Sequence, residues 1–205
     1  MKRLATLLML GLLAVGTAAP ADACLRKMPQ LAKKQQVDPT QRDVVAAEKA
    51  LAAGDHAKAA KLARRAVPGL HELPPEGAAP LAKRAQRALA VAAVRSGGAI
   101  EVAPDMRGVT EHDRQLNVAW AQLVLTYQTA LEQDSVILEV QLAEALALSA
   151  FEKDRARDML RDLSTRDLMP TASGYALLAK LESDEILRDA AITRCKDLGG
   201  TACQA

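Results

Sequence analysis

Three cysteines, three histidines, a basic helical stripe and a tryptophan–tyrosine pair are the side chains of this 205-residue chain best suited to chemistry or recognition. Cys195 and Cys203 stand eight apart across Gly199-Gly200, a segment flexible enough to let two sulfurs meet. Cys24 has three open fates: a lipid attachment point, a free thiol, or a disulfide to one of the other two that would tie the termini together. No Cys-x-x-Cys is present, so no redox-active dithiol is indicated. His56, His71 and His112 form no i, i+4 pair with a second ligand, and no Cys/His cluster has zinc spacing. Gly97-Gly98 lacks the Lys-Ser/Thr of a phosphate loop, and no Gly-x-Ser-x-Gly elbow occurs. The expectation is a chain without metal, cofactor or catalytic residues; an enzyme with an unrecognised site near residues 96–110 is the alternative.

Binding chemistry is better represented. Lys58, Lys61 and Arg65 fall at i, i+3 and i+7 on one helical stripe, with Arg64 beside them. Lys83, Arg84 and Arg87 repeat the theme, and Lys33-Lys34 precede both. Such a stripe is either the solvated face opposite a run of alanines or a docking face for an anionic lipid, an acidic glycan or an acidic protein segment. Nucleic acid is not expected, because no aromatics interleave with the cations. Trp120 and Tyr127, seven apart with Leu123 between, belong to a core or, if exposed, make binding anchors.

These groups need a frame, and the N-terminus is set aside first. Lys2-Arg3, an apolar run from Leu4 to Val15 and the small residues ending Ala21-Asp22-Ala23 read as an export signal cleaved after Ala23. The apolar run is too short to span a bilayer, which takes about 20 residues. Cys24 at +1 matches a lipoprotein signal, although Ala21 and Asp22 depart from the pattern before it. An exported, periplasmic or extracellular location suits a disulfide. Residues 24–38 lack helical periodicity and read as a tether. From Cys24 to Thr110 the sequence carries about 15 basic and 8 acidic residues, and from Glu111 onward about 10 and 16. Opposite ends of that kind could stack head to tail.

Aromatics are 2% and hydrophobic residues 50%, a composition that excludes an all-β domain and favours Ala/Leu-rich helices. Periodicity and breakers predict eight. The first runs from Pro39-Thr40 through Leu51, and the second from Gly54-Asp55 to just before Pro68-Gly69. The others are Pro80–Arg95, Asp113–Gln133, Val136–Leu148, Glu152–Leu163, Ala172–Leu181 and Asp184–Leu198, with a tail over 199–205. The fourth carries Leu116, Trp120, Leu123, Val124, Tyr127 and Leu131 at helical spacing. A loop over 96–110 is long enough to be expected to move or to function. In Glu152–Asp167, opposite charges at i, i+3 and i+4, such as Asp158–Arg161 and Asp162–Arg166, predict an exposed helix laced by weak pairs.

The stretch Ala46–Val67 resembles the tetratricopeptide repeat. Gly54, Asp55 and His56 stand at that family's turn, and Ala59, Ala63 and Ala66 at its small helix-B positions. Ala156, Leu160 and Leu163 repeat the spacing, as do Ala191, Cys195 and Leu198. Trp120-x2-Leu123-Val124-x2-Tyr127 fits the helix-A signature but out of phase with that pairing, and Glu182 replaces an aromatic. The resemblance implies an all-α fold of antiparallel hairpins stacked as a short solenoid of about eight helices over 39–198. It further implies a non-catalytic scaffold that binds another periplasmic or envelope protein, the alternative being a lipid-anchored tether through Cys24 facing an anionic membrane.

Overall fold

The computed structural model describes residues 38–103, 106 and 108–203. The expected signal peptide, Cys24 and residues 25–37 of the tether lie outside the described residues. Eight helices and no strand occur among the described residues: α1 (Pro39–Ala52), α2 (His56–Ala66), α3 (Pro80–Arg95), α4 (Glu111–Leu131), α5 (Val136–Leu146), α6 (Lys153–Thr165), α7 (Ala172–Leu181) and α8 (Glu185–Asp197). Among the described residues no helix is long and apolar enough to cross a membrane.

Local chemistry explains most helix starts. Side-chain oxygens accept otherwise orphaned amide N–H groups at Asp38 for α1, Asp55 for α2, Thr171 for α7 and Asp184 for α8. Thr110 and Asp113 form a reciprocal capping box on α4. Pro39 and Pro80 occupy first-turn positions, where a missing N–H costs nothing.

The helices pair in chain order as hairpins α1/α2, α3/α4, α5/α6 and α7/α8. The first helices touch in series, α1 on α3, α3 on α5 and α5 on α7, while each second helix also meets the next hairpin's first. This is a repeat-like stack, in which a hairpin buries its apolar face only against its neighbours. The central α3 is buried almost all round, from Ala82 through Val94. Six of its buried residues are alanines, which let neighbouring helices approach closely.

The α3/α4 hairpin makes α4 a second helix, the phase opposite to the one that the Trp120–Tyr127 spacing suggests. Its buried face is also not the apolar one expected. Asn117, Ala121, Val124, Leu125 and Gln128 face the core, whereas Leu116, Leu123 and Leu131 are 51–61% exposed. Two buried amides account for the rotation. Asn117 Nδ2 donates to Gly98 O (2.9 Å) and Ile100 O (2.8 Å), and Gln128 Nε2 donates to Lys83 O. Asn117 satisfies two loop carbonyls that no helix serves, and Gln128 adds a bond to a carbonyl within α3.

The same contacts revise the 96–110 loop. Ile100 and Val102 are core residues, Asn117 clamps 98–100, and Arg64 reaches both Ala103 O and the Glu101 carboxylate. Its first half is therefore packed structure.

Cys195 and Cys203 form a disulfide, both sulfurs buried. Gly200 sits against it: an added Cβ would lie 2.6 Å from Cys203 Sγ, 2.8 Å from Cys195 Sγ and 2.8 Å from Ala172 Cβ. The bond closes a short loop, so its removal is worth about 2 kcal/mol. A Cys203→Ser variant should lower the denaturant midpoint accordingly, with reductant changing the wild type but not the variant. A midpoint indifferent to both would mean that the bond carries no stability.

Candidate functional site

A concavity lies where the C-terminal ends of α3, α5 and α7 come together. Its cavity of about 530 Å³ is lined by Val94 and Arg95 of α3, Glu144 of α5, Ala147 and Leu148 just beyond it, Lys153 opening α6, and Leu177, Lys180 and Leu181 of α7. Arg95 and Glu144 form a two-pronged ion pair (2.9 and 3.1 Å) that fixes the α3–α5 distance and cancels its own charge. Lys153 and Lys180 are exposed and make no ion pair among the described residues. Lys180 stands in the last turn of α7, where a cation offsets the carbonyl end of the helix. The floor between the two lysines is leucine, of which Leu148 is 47% exposed. Leu148 also walls a neighbouring cleft of about 350 Å³ between Gly97, the first half of α4 and Ser149.

Further along the same layer, Arg84 binds Glu48 of α1 through two bonds (2.9 and 2.6 Å), and Arg87 Nε donates to Gln141 Oε1 at 2.8 Å. Burial lowers the Arg87 guanidinium below its ordinary value, with Glu132 and Glu48 opposing that trend. The three arginines of α3, Arg84, Arg87 and Arg95, thus cross-link first helices.

The expected basic stripe divides. Lys58 and Lys61 are exposed. Arg65 is engaged with Asp43 of α1 at 2.6 and 2.7 Å, and that contact holds the Asp43 carboxyl below the usual carboxylate range. Arg64 is spent on the 101–103 segment. Trp120 and Tyr127 are half-buried on α4, outside the first-helix layer, and the indole N–H donates to His71 O at 3.1 Å. His56 opens α2, His71 lies in the α2–α3 connection and His112 starts α4, on three separate segments. Among the described residues no group of three or more His, Cys, Asp or Glu could hold a metal.

The groove residues Leu148, Lys153, Leu177, Lys180 and Leu181 were not singled out from sequence. A usable signal existed. Val94-Arg95, Ala147-Leu148 and Lys180-Leu181 each end, or just follow, the first helix of a hairpin, so correct repeat phasing brings the three pairs together.

Comparison with family models, with curated proteins and with solved structures returns no match.

Proposed function

We propose that this chain is an exported, tetratricopeptide-like scaffold that holds a segment of another envelope protein in the groove between α3, α5 and α7. The observation that carries the reading is the leucine-floored groove with two lysines at its rim that make no ion pair among the described residues. Apolar side chains of a bound segment would cover Leu148, Leu177 and Leu181, and an acidic group would reach Lys153 or Lys180. The helix-B spacing in α2, α6 and α8 and the export signal support the remainder.

The test uses the mature chain as bait against an envelope extract of its own host. Two variants run alongside: Lys153→Glu/Lys180→Glu and Lys58→Glu/Lys61→Glu. Arg65 stays unchanged, because its removal would strand Asp43. A protein held by wild type and by the second variant, but weakened about tenfold or more by the first, supports the groove. Loss with the second variant alone moves the site to α2. Retention of nothing removes the scaffold.

A second reading is favoured by one sequence feature. Between the cleavage point and Asp38 stand Arg26, Lys27, Lys33 and Lys34 with no acidic residue, directly after Cys24. A lipidated Cys24 followed by these cations would hold the domain at an anionic membrane surface. The intact mass of protein from the native host decides it: a diacyl-scale addition supports the anchor, and an unmodified N-terminus removes it.

A further inference from the structure

Leu116, Trp120, Leu123 and Tyr127 of α4 are spaced four, three and four apart. At 100° per residue they fall within about 60° of one another around the helix, roughly 110° from the centre of its buried face. They form a stripe about 17 Å long beside the core. Leu116 is 54% and Leu123 61% exposed, and Trp120 and Tyr127 are half-buried. From Gln115 to Leu131 the helix carries no charged residue, although a quarter of the chain is charged. The stripe holds the only tryptophan and one of two tyrosines, the residue types that anchor interfaces.

Two properties select the occupant. A charged partner would bury its charges unpaired against a stripe to which α4 contributes no charge, whereas a second copy brings the same uncharged stripe. The spacing is also symmetric about its own centre. Two antiparallel copies related by a twofold axis place Leu116 opposite Tyr127 of the second copy, and Trp120 opposite its Leu123. Each aromatic then meets a leucine, and every contact occurs twice, as an isologous interface requires. The 4-3-4 spacing is that of a two-helix seam. We infer that α4 is a homodimerisation helix, pairing antiparallel with α4 of a second copy through Leu116, Trp120, Leu123 and Tyr127. One helix face of this length falls below the roughly 1,200 Å² of a stable complex, so the dimer forms in a concentration-dependent way.

Sedimentation of the mature chain over a wide concentration range tests this, with Leu123→Glu and Phe151→Glu alongside. Phe151 is 96% exposed and lies off the stripe, so its variant controls for general loss of apolar surface. The expected result is a mass rising toward twice the monomer, and a Trp120 emission moving to shorter wavelength with concentration. Leu123→Glu should weaken association about tenfold or more at unchanged helicity, and Phe151→Glu should leave it intact. A monomer at every concentration overturns the proposal. Association that ignores Leu123→Glu also overturns it, including association dispersed by salt alone, which would instead report contact between oppositely charged ends. The groove between α3, α5 and α7 takes no part, so either result leaves that reading where it stood.

Discussion

Replacing Gly98 by alanine should cost about 4 kcal/mol of stability, against about 1 kcal/mol for the same change at Gly97. Both glycines are left-handed, with φ of +61° at Gly97 and +78° at Gly98. That conformation alone costs an L-residue about 1–2 kcal/mol. The surroundings make the difference. A Cβ at Gly97 meets nothing within 4 Å, whereas one at Gly98 would lie 2.8 Å from Arg114 Cα, 2.9 Å from its carbonyl carbon and closer still to its oxygen. Backbone atoms cannot rotate aside, so the loop would have to part from α4. Parting breaks both Asn117 bonds, to Gly98 O and Ile100 O, and leaves that amide buried without partners. It also strains the Gly98 N–H to Ala93 O bond that closes α3. Denaturant midpoints of the two variants, followed by circular dichroism, give the comparison. The Asn117→Ala change should be strongly non-additive with Gly98→Ala, since both loosen one contact. Equal losses at Gly97 and Gly98 would show that the close approach to α4 carries no weight.

That pair of glycines shows what the sequence could and could not convey. Two adjacent glycines mark a turn, and nothing in the letters says which one touches a helix sixteen residues on. The eight helices were legible because their signals are local: the Asp55 cap, Pro80 at a first turn, and Pro170-Thr171 before α7, whose span Ala172–Leu181 is the one expected. Short connections over 53–55, 147–152 and 182–184 made three of the hairpins legible, whereas α3 and α4 are joined by the long 96–110 loop and their pairing was not. The face of α4 was not legible. Asn117 and Gln128 are buried against the carbonyls at 98, 100 and 83, partners fixed by packing and not by periodicity. The disulfide was a matter of spacing: Cys195–Cys203 is one of the pairings that the three cysteines left open. The groove needed the layer of first helices to exist before its lysines and leucines could be grouped. On α6, the pairs Arg157–Asp154 and Arg166–Asp162 are local, as mixed charge spacing predicts. The Asp158–Arg161 pair does not form, because Arg161 turns away to Glu182.

Arg161→Ala should be the most damaging change to a charged side chain, at about 2–3 kcal/mol. The Glu182 side chain is 1% exposed at the end of α7, where the tetratricopeptide pattern has an aromatic. A carboxylate there is tolerable only with partners. Arg161 Nη2 donates to both its oxygens (2.7 and 2.6 Å), Arg161 Nε adds a third bond, and the Asp184 N–H donates a fourth at the start of α8. Removing one partner of a buried pair typically costs 3–5 kcal/mol. The cost falls below that range because Arg161 is itself 40% exposed and water can partly replace it. The bonds from Arg161 hold the Glu182 carboxyl below its ordinary value, against the opposing effect of burial. A carboxyl lowered by folding stabilises the fold above its unfolded value, and that stability is lost as pH falls through the lowered one. Wild-type stability should therefore drop in acid, below the ordinary carboxylate range. Arg161→Ala should be destabilised most near neutral pH and approach wild type in acid, where Glu182 is protonated in both. A double variant, Arg161→Met/Glu182→Leu, replaces the pair with apolar groups of similar reach and should recover most of the loss. The measurement is the urea midpoint of the three proteins across the acid range. A constant gap between Arg161→Ala and wild type at every pH would assign the effect to lost packing of the arginine stem. A double variant no more stable than the single one would show that the stranded carboxylate was never the cost.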